Sequence, residues 1–425
     1  RETGYQVDDI AALIPDQPPV HKVIGPRIAP QRYEAIWRLF EALPEPADFP
    51  YQEPSDLVRI RSLRPEGRRR IGHALDEAAL YDHIYGAWLG RCAGCTLGKP
   101  VEGWPREKIR RYLEAAGAYP LSSYFPVLDP FPPELALWKN WRETGLGCVH
   151  HMARDDDIDY TILGLHILEQ YGRGFTTQDV GTEWRFNLPY ARTYTAEIVA
   201  YRNLVMGLEP PQTATYRNPY REWLGAQIRA DAWGYANPGD PERAAEYAFR
   251  DASLSHTANG IYGEMWAAAA VAAAFVTDDA RAIIHIANSE IPANCRLAEA
   301  INLAVEAADR FATWEEAWDQ MMVALKYGEY HTVHTINNTI LIVFGLLYGE
   351  GDFGRSICIA VMGGFDTDCT GATLGSILGA ALGAGALPAR WVEPLNDTIK
   401  SAVFGYDNSQ ISVLARRTAA IAAAP

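Results

Sequence analysis

Six cysteines in 425 residues are too few for a disulfide framework, so a reducing, cytoplasmic setting is expected. The longest apolar stretch, around residues 267–276, is alanine-rich. It falls well short of the roughly 20 residues a membrane span needs. Positive charge is scarce: 38 Lys and Arg face 53 Asp and Glu, for a net charge of −15. Nucleic acid is therefore not an expected partner, because binding it needs a basic face. Alternating apolar and polar runs, the mark of half-buried strands, are missing. So are a GxxxxGK[ST] phosphate loop, a Ser-His-Asp arrangement, an internal repeat and a signal-peptide pattern in Arg1-Glu2-Thr3-Gly4.

What remains is helical. Leu80, Ile84, Ala87 and Trp88 recur at helical spacing and predict a helix over residues 76–95. Residues 158–171, 195–207, 242–251, 262–276, 280–287, 295–311, 314–326, 335–348, 353–362 and 370–383 read the same way. The expected fold class is all-α, a compact multi-helix bundle. Residues 1–75 differ, with Pro15, Pro18, Pro19, Pro26, Pro30, Pro44, Pro46 and Pro50 and the solvated basic run Arg68-Arg69-Arg70. They are expected to form an arm packing on the body, with one helix near residues 33–42. Residues 76–425 form the main domain, with long Pro- and aromatic-rich loops over 118–148 and 208–241. Gly371, Gly375, Gly379 and Gly383 recur every four residues and share one helix face, and Gly86, Gly90 and Gly94 repeat the pattern. A helical glycine costs about 1 kcal/mol relative to alanine, so close backbone packing must offset it. Cys92 and Cys95 have CxxC spacing without the βαβ context of a redox motif, and read as small buried residues on a packed helix.

Two acidic clusters stand out: Asp155-Asp156-Asp157-Ile158-Asp159, and Gly363-Gly364-Phe365-Asp366-Thr367-Asp368-Cys369-Thr370. Each precedes a helical stretch. One or two acids at a helix start suit capping and the macrodipole, but four in five residues exceed that need. The second cluster alone reads as a turn whose Asp side chains bond local backbone. If the fold joins the two, several carboxylates converge, and like charges so close cannot all stay ionised alone. A hard divalent cation held by oxygen ligands is the usual remedy.

Gly86-Ala-Trp-Leu-Gly90-Arg-Cys-Ala-Gly94-Cys-Thr-Leu-Gly98-Lys-Pro-Val-Glu102-Gly103 resembles the opening helix and loop of the ADP-ribosylglycohydrolase family, which includes dinitrogenase reductase-activating glycohydrolase. With the acid pair and the late Gly-Gly-Phe-Asp-Thr-Asp motif, the resemblance spans about residues 78–390. It implies a central metal cleft with two Mg²⁺ or Mn²⁺ ions and cleavage at the anomeric carbon of a ribosyl group. It implies metal ligation by Asp155, Asp156, Asp157, Asp366 and Asp368. It also gives Glu102 a catalytic role beside the metals, with Asp156 and Asp157 counted in the catalytic set. Cys369 stands where the family has a Thr or Ser ligand. A thiol suits a hard cation poorly, so Thr370 or Thr367 takes its place or one site is weakened. Asp155 replaces the usual Thr or Ser, and Ile158 the usual Thr. The branch is divergent, and its partner is a small ribosyl or ADP-ribosyl compound or an ADP-ribosylated protein.

Asp159, His151, His256, Gly364 and Thr367 are candidate substrate contacts. The polar loop Ser255-His256-Thr257-Ala258-Asn259-Gly260 opens a helix and can bind a sugar hydroxyl or an anion. Glu264, Asn337 and Asn338 are lesser candidates for facing the cleft. His331 and His334 line the cleft or cap a helix, with zinc as the sharper alternative. Tyr124, Phe125, Trp138, Trp141, Trp223, Trp233 and Tyr235 are mostly packing, with base stacking as the alternative. Two rival functions follow from the same residues. A class I terpene synthase also carries DDxxD, but its second motif is not found, because Lys400 follows Asn396-Asp397 where a hydroxyl belongs. A non-catalytic, crystallin-like or sensing scaffold of the same fold is the other.

Overall fold

The computed structural model describes residues 7–13, 30–44 and 48–424. The chain divides into two compact units, residues 1–52 and 53–425. The first contains the helices Asp8–Ala11 and Pro30–Glu41, the second of which covers the helix expected near 33–42. Pro15, Pro18, Pro19, Pro26 and Pro46 lie outside the described residues. Residues 53–75 fall in the second unit and are held along it. Glu53 pairs with Arg296 at 2.7 Å, and Arg64 pairs with Glu242 at 3.0 Å and with Glu290. The amide of Gly72 donates to the Gly239 carbonyl at 2.9 Å. Arg70 of the basic run reaches Glu242 at 2.9 Å and Arg69 reaches Glu290 at 3.5 Å. Arg68 and Arg70 are exposed, as expected of solvated surface, and Arg69 is half-buried.

The second unit is all-α. Two two-residue strands, Thr398–Ile399 and Ser409–Gln410, pair antiparallel and are its only strands among the described residues. Seven helices build its centre: α1 (Glu77–Gly98), α2 (Asp156–Tyr171), α3 (Pro241–Ala252), α4 (Asn259–Ala274), α5 (Thr335–Tyr348), α6 (Phe353–Met362) and α7 (Thr367–Leu382). The alanine-rich stretch is α4, and every one of its residues is buried. A helix that is apolar all round has no solvent side to keep. The expected helix over 314–326 changes character at Trp318, where a π-helical turn, Asp319–Ala324, takes over. Helices Arg106–Ala115, Thr177–Asn187 and Ile411–Ala423 were not anticipated from spacing, although Thr176 and Asp179 form a capping box before the second.

The most extensive helix pairing is between α1 and α7, which run antiparallel with glycine facing glycine. A β-carbon added at Gly86, Gly90 or Gly94 would lie 2.4, 2.1 or 1.9 Å from the carbonyl oxygen of Gly379, Gly375 or Gly371. At Gly98 it would lie 2.2 Å from the Thr367 oxygen. The two glycine series of the sequence are thus one seam. Gly383, the positive-φ residue after α7 with φ 77°, closes it, its carbonyl carbon 2.6 Å from a β-carbon added at Gly86. The seam fixes where the C-terminal end of α1 meets the N-terminal end of α7, and both acidic motifs depend on that meeting.

Replacing Gly94 by alanine gains about 1 kcal/mol of helix propensity. It also drives a methyl into backbone that cannot yield, an overpacking cost of about 1–3 kcal/mol or more. The clash wins, so Gly94→Ala lowers the melting temperature. Gly174→Ala, where nothing lies within 4 Å of the added carbon, leaves it unchanged. Thermal unfolding of the two variants measures the difference.

Candidate metal centre

Asp155 caps α2, and its Oδ1 accepts the Asp157 amide at 3.0 Å. The cap turns the first residues of α2 toward the end of the glycine seam, where α7 begins. On the other side, Gly103 N–H donates to the Phe365 carbonyl at 2.8 Å, and Phe365 N–H to the Trp104 carbonyl at 3.2 Å. This short bridge holds the Glu102 loop against the Gly363–Asp366 turn. Gly364 is required there: its φ is 84°, and a β-carbon would sit 2.8 Å from Arg106 N and Trp104 O. Asn338 of α5 completes the frame, its Oδ1 accepting the Asp366 amide at 3.1 Å.

The result is one buried acidic centre. Asp155, Asp157, Asp366 and Asp368 are buried, and Asp156 is half-buried. Ligand atoms of Cys95, Asp155, Asp157 and Asp368 all lie within 4.8 Å of one another. Those of Asp366, Asp368 and Cys369 do likewise. Asp368 belongs to both groups, and its Oδ1 is buried without a hydrogen-bond partner. An orphaned carboxylate oxygen amid other carboxylates is a donor that a hard divalent cation could use.

The charges confirm the crowding. Burial, then the charge of Asp155, pushes the Asp156 carboxyl well above its usual range. Burial also raises Asp157 strongly, against the opposing guanidinium of Arg91. Burial and the neighbouring Asp368 raise Asp366. Asp155 alone is lowered: burial would raise it, but the Lys99 ammonium overcomes that. Glu102 is exposed by surface area, yet the charge of Asp368 first, and desolvation second, lift its carboxyl well above the usual range.

A family model described as ADP-ribosylglycohydrolase matches residues 76–424. The chain belongs to that family. A solved structure described as an ADP-ribosylglycohydrolase-related protein complex matches over 81% of this chain and 99% of that one, at 19% identity and a TM-score of 0.45. No curated protein matches. No helix among the described residues is long and apolar enough to cross a membrane.

In this ADP-ribosylglycohydrolase chain, the remaining sequence candidates occupy several places. Cys369 donates its thiol to Asp157 Oδ2 at 3.2 Å, and burial keeps that thiol protonated. Thr370 Oγ1 donates to the Asp366 carbonyl at 3.0 Å and Thr367 Oγ1 to the Gly98 carbonyl at 2.8 Å. Asp159 is bound by Arg154 at 2.7 Å, Ser401 Oγ at 2.7 Å and the Ala402 amide at 2.9 Å. His151 lies 3.7 Å from Glu143. His256 is buried beside Ser255 Oγ at 2.8 Å, and burial and Arg229 keep it neutral. Arg229 gathers Glu197, Asp251 and Glu264 into a buried group of its own. His334 caps α5 and His331 stacks on Trp223. Cys92 and Cys95 are buried and free. Tyr124, Phe125, Trp233 and Tyr235 are buried packing. Trp138 is about half exposed, and its indole donates to the Glu102 carbonyl at 2.8 Å.

Sequence reasoning passed over two cations. Arg91, the lone charge in the buried stretch of α1, donates to the Asp157 carbonyl and carboxylate and pairs with Asp231 at 2.7 Å. Lys99, buried between Gly98 and Pro100, pairs with Asp155. The available signal was a single basic residue in an otherwise apolar run.

The raised carboxyls give a pH prediction. A carboxyl whose folded pKa exceeds its unfolded value holds extra protons in the native state. Its stabilising effect is full at low pH and is lost as pH rises through the folded value. Asp155 acts oppositely, but Asp156, Asp157, Asp366 and Asp368 outnumber it. A divalent ion must displace those protons. The rise in melting temperature on adding Mn²⁺ to chelator-treated protein therefore grows between pH 5 and pH 8. Differential scanning fluorimetry across that range checks it; a flat or falling gain contradicts the reading.

Proposed function

We propose that the protein is a metal-dependent glycohydrolase that cleaves an N- or O-glycosidic bond at the anomeric carbon of a ribosyl group. The convergence of both acidic motifs and Glu102 on one buried centre, in a chain of this family, carries the reading. Asp156, Asp366 and Asp368 would hold a divalent ion, either Mg²⁺ or Mn²⁺. Such an ion supplies Lewis-acid polarisation of ribose hydroxyls and of a water. Asp157 is held by Arg91 and Cys369 and keeps the ligand shell in place.

The reaction adds water across the bond: oxygen joins the anomeric carbon as the bond to the leaving group breaks. The transition state is oxocarbenium-like. Glu102, its carboxyl lifted above the usual range by Asp368 and burial, is suited to hold a proton and deliver it to the departing atom. The leaving group then departs as a neutral alcohol or amine, and the attacking water gives up one proton, which restores the Glu102 carboxyl. Trp138 stands beside Glu102 at an exposed position where a base or aglycone can stack.

The test is a panel of ADP-ribosyl-arginine, ADP-ribosyl-serine, O-acetyl-ADP-ribose and simple ribosides, with Mn²⁺ and with chelator, followed by proton NMR of the anomeric signal. Metal-dependent release of a free ribosyl hemiacetal from at least one class is expected. No turnover across the panel, with the ion demonstrably bound, would favour the scaffold reading.

A further inference from the structure

We propose that Lys99 occupies one of the two cation positions of this centre, so that the protein binds a single divalent ion. The inference rests on the metal reading above and concerns the number of ions.

The two groups of potential ligands share Asp368 and differ otherwise. That is the layout of two neighbouring cation positions with a bridging carboxylate. They are not equally free. In the first, Asp155 already spends both oxygens: Oδ1 accepts the Asp157 amide and Oδ2 the Lys99 ammonium. Of the two remaining members, the Asp157 carboxylate already accepts from Arg91 and from the Cys369 thiol, and Cys95 is a thiol, a poor donor for a hard ion. The Lys99 charge also acts on Asp368, Glu102 and Asp156. Paired with Asp155, whose ligand atom lies within 4.8 Å of those of Asp157 and Asp368, its ammonium stands beside the first ligand group.

Lys99 cannot easily move aside. It sits on the turn Lys99–Val101, directly after the glycine seam and before Pro100. Its carbonyl is held by Asn140 Nδ2 at 3.0 Å, and the residue is buried. In the second group no basic side chain among the described residues is paired with Asp366 or Asp368 as Lys99 is with Asp155, and the Oδ1 of the shared Asp368 has no hydrogen-bond partner. One divalent ion needs few carboxylates when waters complete its shell. A second ion in the first position would meet a fixed ammonium a few ångströms away, in a site of low dielectric, and like charges there repel strongly.

The experiment equilibrates the full chain with Mn²⁺, removes free ion by gel filtration, and counts bound manganese by mass spectrometry and electron paramagnetic resonance. Wild type is expected to hold one ion per chain with the six-line signal of isolated Mn²⁺. Lys99→Ala and Lys99→Gln, checked for folding by circular dichroism, are expected to hold two, with a spin-coupled spectrum. Lys99→Arg is expected to stay at one. Two ions in wild type would overturn the inference and leave the metal centre standing. So would one ion in both wild type and a folded Lys99→Ala. No ion in wild type would remove the metal centre itself, and the inference with it.

Discussion

Asp368→Asn strips the centre of its cation. Asp368 belongs to both ligand groups, and its Oδ1 is buried without a partner. Loss of an outer-shell group around a metal typically costs 10–100-fold in affinity, and loss of a shared ligand should reach at least about 100-fold. The same substitution relieves repulsion, because the charge of Asp368 raises Glu102, Asp156, Asp157 and Asp366. The two effects separate cleanly. Without metal, the variant melts at or above the wild-type temperature. With metal, it fails to gain the increment that wild type gains, which is about 2.7 kcal/mol when the ion stands at 100 times its dissociation constant. Isothermal titration with Mn²⁺ and paired melting curves measure both. A variant that binds Mn²⁺ as wild type does would place the ion elsewhere.

Glu102→Gln separates chemistry from binding. The amide keeps the size and most of the polarity of the side chain but cannot deliver a proton. General acid catalysis contributes about 10²–10⁴ in rate, so turnover falls by about that factor on substrates with poor leaving groups. Metal affinity changes little, because the Asp156, Asp366 and Asp368 carboxylates remain. Substrates with good leaving groups, which need no proton, lose far less. Turnover measured on a poor and a good leaving group, with a metal titration beside them, distinguishes this role. An equal loss on both would make Glu102 a positioning group for water or metal instead.

The helices and the site were not equally visible in the sequence. The glycines of α1 and α7 announced close packing because a helix interior tolerates such a series only when backbone meets backbone. Their spacing did not say that each series was the other's partner; that follows from burial of the surrounding apolar residues. The two acidic motifs were conspicuous by density of charge. Lys99 and Arg91 were not, because a single basic residue carries no periodic signal, and its partners Asp155 and Asp157 lie 56 and 66 residues away in the chain. The residues around Arg229 show the same limit. Glu197, Asp251 and Glu264 come from three separate helices, and the buried His256 of the polar loop stands beside that internal group through Ser255. Residues 53–75 read as part of the arm because they carry six arginines, among them the run Arg68-Arg69-Arg70. Their pairing with Glu242, Glu290 and Arg296 of the body depends on acids and bases more than 170 residues distant.

The central claim is that Asp156, Asp366 and Asp368 hold a catalytic divalent ion beside Glu102. Crystals of the full chain soaked in Mn²⁺, with diffraction collected near the manganese absorption edge, test it most directly. The account predicts an anomalous peak bounded by those three aspartates, with the Glu102 carboxyl facing it. An empty centre at saturating Mn²⁺, or a peak bound away from the two acidic motifs, would contradict it.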